Sequence, residues 1–479
     1  MDGVWQAAAV RRAEAELMRQ LPPLTLMHRA ATGLATTCTR LLRSMAGPHA
    51  GAYGARVTLL AGPGDNGGDA LFAGTRLARQ GAQVTAIPVM DKRIHQTALA
   101  DFRAAGGRVQ STPPTRTDLL VDGILGIGGR PGLPDRACQL LEAIDPQLTV
   151  AVDIPSGVDV DSGAVPGPAV DADVTVTFGC LKPAHVLGDA ALRTGFLDLI
   201  DIGLGPYLEC EGYLHVPTLD DIIALWPFAD ELDDKYTRGV VGIAAGSRQF
   251  PGAAILACRG ALSGPAGYVR YAGSAKSTIE NHHPEVVSTD TVAEAGRTQS
   301  WLIGPGSGTD EHTAEELTEV LARPVPAVVD ADAINLLAEA PHLLANREAP
   351  LVLTPHDREF QRLYGTAPGD HRVESAMGLA KRLHCTVLLK GHHTIIADCD
   401  GTVYVNPTGH PALATAGTGD VLAGLIASLL AAGVPTAQAA MMGAFMHGMA
   451  ARATNAELGS PVASDVAAEL PHSIGALSE

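Results

Sequence analysis

Arg56-Val57-Thr58-Leu59-Leu60 running into Ala61-Gly62-Pro63-Gly64-Asp65-Asn66-Gly67-Gly68-Asp69 is the stretch on which the fold turns. The first part is a short apolar, β-branched run, the pattern of a buried strand. The second is a polar, glycine-rich loop. Ala70 to Gln80 then takes on helical periodicity and stops at Gly81, and Ala82 to Val89 forms another strand. Together they make a βαβ unit whose loop lies at the carboxyl end of its first strand, where open parallel sheets bind ligands.

The same geometry recurs along the first half. Leu119-Leu120-Val121-Asp122 runs into Gly123-Ile124-Leu125-Gly126-Ile127-Gly128-Gly129, and Thr149-Val150-Ala151-Val152-Asp153 into Ile154-Pro155-Ser156-Gly157. Asp173 to Phe178 leads to Gly179-Cys180-Leu181-Lys182-Pro183. Asp122 and Asp153 therefore each close an apolar strand and face the crevice shared with Asn66 and Asp69. Carboxylates gathered at one sheet edge repel unless a cation sits among them, and Asn66, Asp122 and Ser156 offer hard oxygens for one. Independent capping of turns explains any one of these residues, but the set less well. Upstream, Glu14 to Leu42 reads as two helices broken at Pro22-Pro23, a packing element without chemistry.

Composition bounds the remainder. A chain of 479 residues holds two or three domains. With 46% hydrophobic but only 4% aromatic residues, its cores must be built from Ala, Val, Leu and Ile. A formal charge of −18 without a basic block argues against nucleic acid as a partner. The cysteines at 38, 138, 180, 210, 258, 385 and 399 are scattered, with no C-x-x-C, and read as reduced thiols. Met1 to Gln20 is no secretory signal, and the longest apolar run, Val421 to Val434, is shorter than the roughly 20 residues of a spanning helix. A soluble, cytoplasmic protein with no membrane partner is expected.

After a proline-containing acidic transition (Pro206 to Asp234), placing a boundary at 218/219, a second α/β series begins. Strands at Gly239–Ala244, Gly267–Tyr271, Trp301–Ile303, Ala327–Val329, Leu351–Leu353 and Thr386–Leu389 each deliver a polar or glycine loop. The last stretch, Ala414-Thr415-Ala416-Gly417-Thr418-Gly419-Asp420, enters an apolar helix, so free backbone N–H groups collect there as an anion site. An aspartate at such a mouth repels phosphate, and its placement is explained by proton abstraction from a hydroxyl that attacks phosphate; the alternative makes Asp420 a helix N-cap. Lys390, ending an apolar strand beside Gly391, faces phosphate on this reading. His356 reads as functional within T-P-H-x-x-E, and His447 as a core histidine. His282-His283 and His392-His393 lack helical metal-pair spacing.

These residues carry two resemblances. P-G-D-N-G-G-D, V-D-G-I-L-G-I-G, V-A-V-D-I-P-S-G-V-D and T-F-G-C-L-K-P, in order over roughly residues 5–205, resemble the N-terminal NAD(P)H-hydrate epimerase domain. G-P-G-S-G, D-A-D-A-I-N, L-T-P-H-D-R-E, L-K-G-H-H-T and G-T-G-D, over about 225–475, resemble the ADP- or ATP-dependent NAD(P)H-hydrate dehydratases of the ribokinase-like superfamily. The resemblance implies two three-layer α/β/α domains: a Rossmann-like domain at 1–218 and a ribokinase-like domain at 219–479. In the first it implies potassium on Asn66, Asp122 and Ser156. It places the hydrated nucleotide against Asp65, Asn66, Gly67, Gly68, Asp69, against Gly126, Ile127, Gly128, Gly129, Arg130, Pro131, Gly132, and against Asp153. Either Asp153 or Asp122 supplies acid–base help. In the second it implies the hydrate on Ala253, Gly306, Gly308, His356 and Asp420, with Asp420 as base. ADP or ATP with magnesium falls to Lys390, Gly391, His392, His393, Thr394 and Gly419. Asp65 and Ala70 depart from the first family's usual Asn and Gly, and Asp357-Arg358 and Ala416 from the second's usual residues. The expected partners are NADHX or NADPHX and ADP or ATP, in a homo-oligomer. The competing reading is a small-molecule kinase of ribokinase-like fold with an accessory ligand-binding domain.

Overall fold

The computed structural model describes residues 1–46, 51–90, 94–208 and 212–478; Cys210, grouped with the thiols above, lies outside them. The chain divides into two compact units, Gly3–Tyr213 and Leu214–Glu479, the second also taking Met1–Asp2. This division falls before the boundary read at 218/219. Leu214–Val216 is a strand of the second unit, with His215 paired in parallel to Tyr404. Thr218 then caps the helix Leu219–Leu225 by accepting from the Asp221 amide.

In the first unit a seven-stranded sheet runs in the order Arg108–Val109, Gln83–Pro88, Arg56–Ala61, Thr117–Gly123, Pro146–Val152, Val174–Phe178, Phe196–Ile200. Every neighbouring pair is parallel. The chain leaves Arg56–Ala61 toward one edge and returns through Thr117–Gly123 on the other side, so the two strands flank a topological switch point. Alternation along the pleat divides the core. Leu59, Leu119 and Val121 pack with the helices Ala7–Met18, Thr25–Ala46 and Asp65–Arg79, whereas Leu60 and Leu120 pack with Ala137 and Leu140 of Asp135–Glu142. The expected loop 65–69 is instead the first turns of a helix, Asp65–Arg79, capped by extended Gly64. Gly67 permits this early start: a Cβ there would lie 2.2 Å from the Gly62 carbonyl.

In the second unit the sheet runs Leu214–Val216, Val403–Val405, Ile395–Ala397, Thr386–Leu389, Leu351–Leu353, Ala327–Val329, Ser300–Ile303, Val240–Ala244, Tyr268–Ala272, Val287–Thr289. It is parallel from Thr386–Leu389 to the last strand. Ile395–Ala397 and Val403–Val405 are antiparallel additions that the sequence reading passed over, being too short for alternation to show. Lys390 to Thr394 is thus a hairpin connection. Val241, Ile243, Leu302, Val328 and Val352 bury one face of the sheet against the helices Pro251–Ser263, Thr418–Ala431, Thr436–Leu458 and Ala463–Gly475. The helices Pro251–Ser263 and Thr418–Ala431 cross closely because glycine stands on both: a Cβ on Gly260 would lie 2.1 Å from the Val421 carbonyl, and one on Gly424 2.1 Å from that of Ala257. No described helix is long and apolar enough to cross a membrane.

Candidate active sites

At the switch point of the first unit lies a cavity of about 710 Å³. Its polar wall carries Asp65, Asn66, Asp69 and Asp153, facing an apolar wall that includes Leu24, Met27 and Phe178. Asp153 follows its strand in the left-handed region, with φ 67°. That conformation is rare outside glycine and typical of strained functional positions. It aims the carboxylate at Lys182 Nζ, 2.6 Å away, and Thr177 Oγ1 adds a 3.1 Å bond. Lys182, only 1% exposed, also donates to Thr177 Oγ1 and to the Phe178 carbonyl. Burial pushes Asp153 up, but the Lys182 charge and hydrogen bond outweigh it and hold the carboxyl below its ordinary value.

His185 completes this support. Its Nδ1 accepts from the Lys182 amide at 3.0 Å, so Nε2 carries the proton donated to the Asp153 carbonyl at 2.8 Å. Burial and Lys182 lower it to about 4, keeping it neutral. Asp69 has the opposite environment. Burial and the charges of Asp153, Asp65 and Glu14 raise it well above its usual value, and its Oδ1 has no partner.

Asp122 does not face this cavity, contrary to the expectation that it shares the crevice. Fully buried, it accepts from the amides of Ile124 (3.2 Å) and Ser156 (2.8 Å) and from Ser156 Oγ (2.6 Å). Direct acid–base contact with a substrate is therefore closed to it. Burial, only partly offset by the Ser156 bonds, raises it to about 6. Asn66 donates to the carbonyls of Leu125 (2.9 Å) and Val152 (2.8 Å), leaving Oδ1 for a cation or ligand. Gly126 to Gly129 line the cavity, but Arg130, Pro131 and Gly132 do not; Gly67 and Gly68 serve helix packing. Ala70 is buried against Gly123, away from the cavity, so that departure leaves its walls unchanged.

The first helix is more than packing. Ala7, Val10, Ala13 and Leu17 bury one face, while Arg11, Glu14 and Met18 turn to the cavity. The Arg11 guanidinium donates to the Ile127 carbonyl. Burial, with Asp153 next in weight, raises Glu14 to about 7. A charged residue beside an apolar helical stripe was the available signal, and ordinary amphipathicity hid it.

In the second unit, a cavity of about 810 Å³ is lined by Lys390, Gly391, His392, Thr394, Thr418 and Gly419, among others. Gly417, φ 91°, caps the helix Thr418–Ala431, so Asp420 is not the N-cap. Thr418 Oγ1 donates back to the carbonyls of Leu413 and Thr415 at 2.8 and 3.0 Å, fixing the turn. A Cβ on Gly419 would lie 3.3 Å from Lys390 Nζ, which places the cation over the helix start. Lys390 also pairs with Asp330 at 2.6 Å. Burial, then Asp330, raises Asp420 to about 7, against the pull of Lys390. Asp330 keeps a second oxygen buried and unpartnered.

Asp420, Ala253, Gly306, Gly308 and His393 do not wall this cavity. Among them, a Cβ on Gly306 would lie 2.6 Å from Ala253, and the Gly308 amide donates to Asp332 at 2.9 Å. His356, expected with the hydrate residues, lines the cavity beside Lys390. Its Nδ1 accepts the amides of Arg358 and Glu359, capping Asp357–Tyr364. His447 is buried, as read, yet also lines the cavity with Nε2 unpartnered; burial lowers it to about 4. Arg372, not foreseen, donates to the Lys390 carbonyl at 2.8 Å and to Asp357, fixing the Lys390 turn.

Comparison with known proteins finds a separate family match within each unit. Residues 23–184 match the family described as YjeF-related protein N-terminus, and residues 241–472 that described as NAD(P)H-hydrate dehydratase. A ribokinase-like superfamily protein from Enterococcus faecalis superposes with a TM-score of 0.52 at 25% identity, covering 55% of this chain and 96% of that one. The bifunctional NAD(P)H-hydrate repair enzyme of Corynebacterium glutamicum is 36% identical, covering 90% of this chain and 87% of its own. That of Mycobacterium leprae is 47% identical over 461 residues, 96% of this chain and 95% of its own. On similarity carried through both units, the chain belongs to the bifunctional NAD(P)H-hydrate repair enzymes.

Proposed function

We propose that the first unit interconverts the R and S hydrates of NADH or NADPH and that the second returns the S form to the dihydronucleotide using ADP or ATP. Water added across C5–C6 leaves a hydroxyl on the carbon next to the ring nitrogen. Hydroxide is a poor leaving group and phosphate a good one. Asp420 takes the hydroxyl proton, and the oxygen attacks the terminal phosphoryl group of the nucleotide, whose phosphoanhydride bond breaks to release AMP from ADP or ADP from ATP. Lys390 and the amides at the Thr418–Gly419 helix start stabilise the transferring charge. The nitrogen lone pair then expels phosphate, and loss of a C5 proton restores the ring. The observation that carries this reading is Asp420, raised to about 7 beside Lys390 and an anion-binding helix start.

Asp330, with an unpartnered buried oxygen, and Asp332 suit a nucleotide-borne magnesium, which neutralises phosphate charge. Asn66 Oδ1, Ser156 Oγ and the buried Asp122 carboxylate suit potassium, whose charge offsets that of Asp122. In the first unit the ring nitrogen lets the hydroxyl leave and return. Asp153, ionised by Lys182, stabilises the cationic ring formed between the two events.

The test supplies the protein with both hydrates, potassium, magnesium and either nucleotide and follows the return of dihydronicotinamide absorbance. Full recovery with free phosphate is expected. A stable phosphorylated product overturns the reading in favour of an ordinary kinase. Asp420→Asn is expected to abolish recovery while nucleotide binding persists.

A further inference from the structure

The acidic groups of the first cavity occupy different electrostatic states. Asp153 is locked in an ion pair with buried Lys182. Asp69, nearly buried in the cavity wall, has one oxygen unpartnered, and burial with the neighbouring negative charges raises it well above its usual value. Asp153 is held below its ordinary value and so favours the ionised form, whereas Asp69 is displaced in the opposite direction. Glu14 comes from a separate element. It reaches the cavity from Ala7–Met18, on the face shared with Arg11 and Met18, and that helix is tied to the opposite loop by Arg11 on the Ile127 carbonyl. Its surroundings set a titration at about 7.

We propose that Glu14 is the proton donor and acceptor of the epimerisation, an inference that rests on the epimerase reading of this cavity. Glu14 passes its carboxyl proton to the C6 hydroxyl. The C6–O bond breaks with its electron pair leaving on water, and the ring-nitrogen lone pair closes an N=C6 double bond. Water adds to either face of the planar carbon, the nitrogen recovers its pair, and the surplus proton returns to the Glu14 carboxylate through the water of the cavity. The step is redox-neutral and consumes no co-reactant. Asp153 supplies a fixed negative charge for the cation, and Asp69 a hydrogen bond. Carboxyls held at different proton affinities in one site are the usual mark of divided acid–base roles.

The groups facing Glu14 are Arg11 on its own helix, Asp65 and Asp69 on Asp65–Arg79, Asp153 just past Pro146–Val152, Lys182 in the turn after Val174–Phe178, with Cys180 beside it and His95 in the cavity wall. Asp153 and Asp65 discourage its ionisation, while Lys182 and Arg11 favour it.

The test uses the full chain and the pure R hydrate without nucleotide, so that dehydration is silent, and reads both epimers by chiral chromatography from pH 5.5 to 8.5. Glu14→Gln is expected to lower kcat by about 100-fold or more with KM within threefold and to erase the decline in rate above pH 7. Glu14→Asp is expected to regain part of the rate together with that decline. Nucleotide-dependent turnover of the S hydrate remains unchanged in both. If Glu14→Gln keeps kcat within threefold and retains the wild-type pH profile, the proposal is overturned. If wild-type protein itself does not speed exchange of the epimers, the epimerase reading fails instead.

Discussion

Asp420 and Glu14 are carboxyls whose environments move them into the working range of proton transfer. For Asp420 burial and Asp330 lead the upward shift, and Lys390 opposes it. A base must be ionised to act, so S-hydrate turnover is expected to fall about tenfold per pH unit below 7 and to level off above it, as a pH–rate profile of kcat/KM with saturating nucleotide would show. Glu14 makes a stability prediction as well. Its proton affinity is raised in the folded state from 4.5 to about 7. Between those values the unfolded chain has released this proton while the native state retains it, so rising pH costs stability across that window and no further above it. Glu14→Gln should leave stability unchanged at pH 4 and raise it by about 1–3 kcal/mol at pH 8, which denaturant titration at both pH values would measure. A gain in stability at the expense of activity is common for a desolvated functional group.

At the level of elements, the geometry of each site depends on where a helix begins and how closely it can approach. Thr418–Ala431 is apolar almost throughout, and it packs closely against Pro251–Ser263 where Gly260 and Gly424 let the backbones approach. Gly424→Ala would set a methyl 2.1 Å from the Ala257 carbonyl, and neither backbone can yield alone. The expected outcome is a loss of about 1–3 kcal/mol and a fall in kcat for dehydration, checked by thermal melts beside kinetics. Undiminished kcat would show that the helix start is held elsewhere. These same elements show how much was legible beforehand. Most strands of both sheets, with their polar loops, are visible as apolar runs ending in glycine and aspartate. The first turns of Asp65–Arg79 were not, because D-N-G-G-D has the composition of a loop; helix forms there because Gly67 fits against the Gly62 turn.

For the whole molecule, each unit carries its own sheet and core and its own cavity at a sheet edge. The two chemistries should therefore separate by point mutation. Asp420→Asn is expected to leave the exchange of R and S hydrates within about twofold of wild type, because each unit has its own core and changes without shared contacts couple little, while recovery of absorbance is lost; chiral chromatography beside absorbance would register both. A parallel loss of exchange would mean that one unit depends on the other. The amino-acid sequence by itself determined the two α/β series, the order of their strands along the chain and the families they resemble, because strand patterning and glycine loops are local properties written over a few residues. Only the tertiary structure decided that Asp122 is sealed from the cavity while Asp153 faces it, that His356 caps a helix, that Glu14 lines the cavity and that Lys182 pairs with Asp153. Those outcomes depend on desolvation and on charges brought together from distant segments, and no local pattern encodes either.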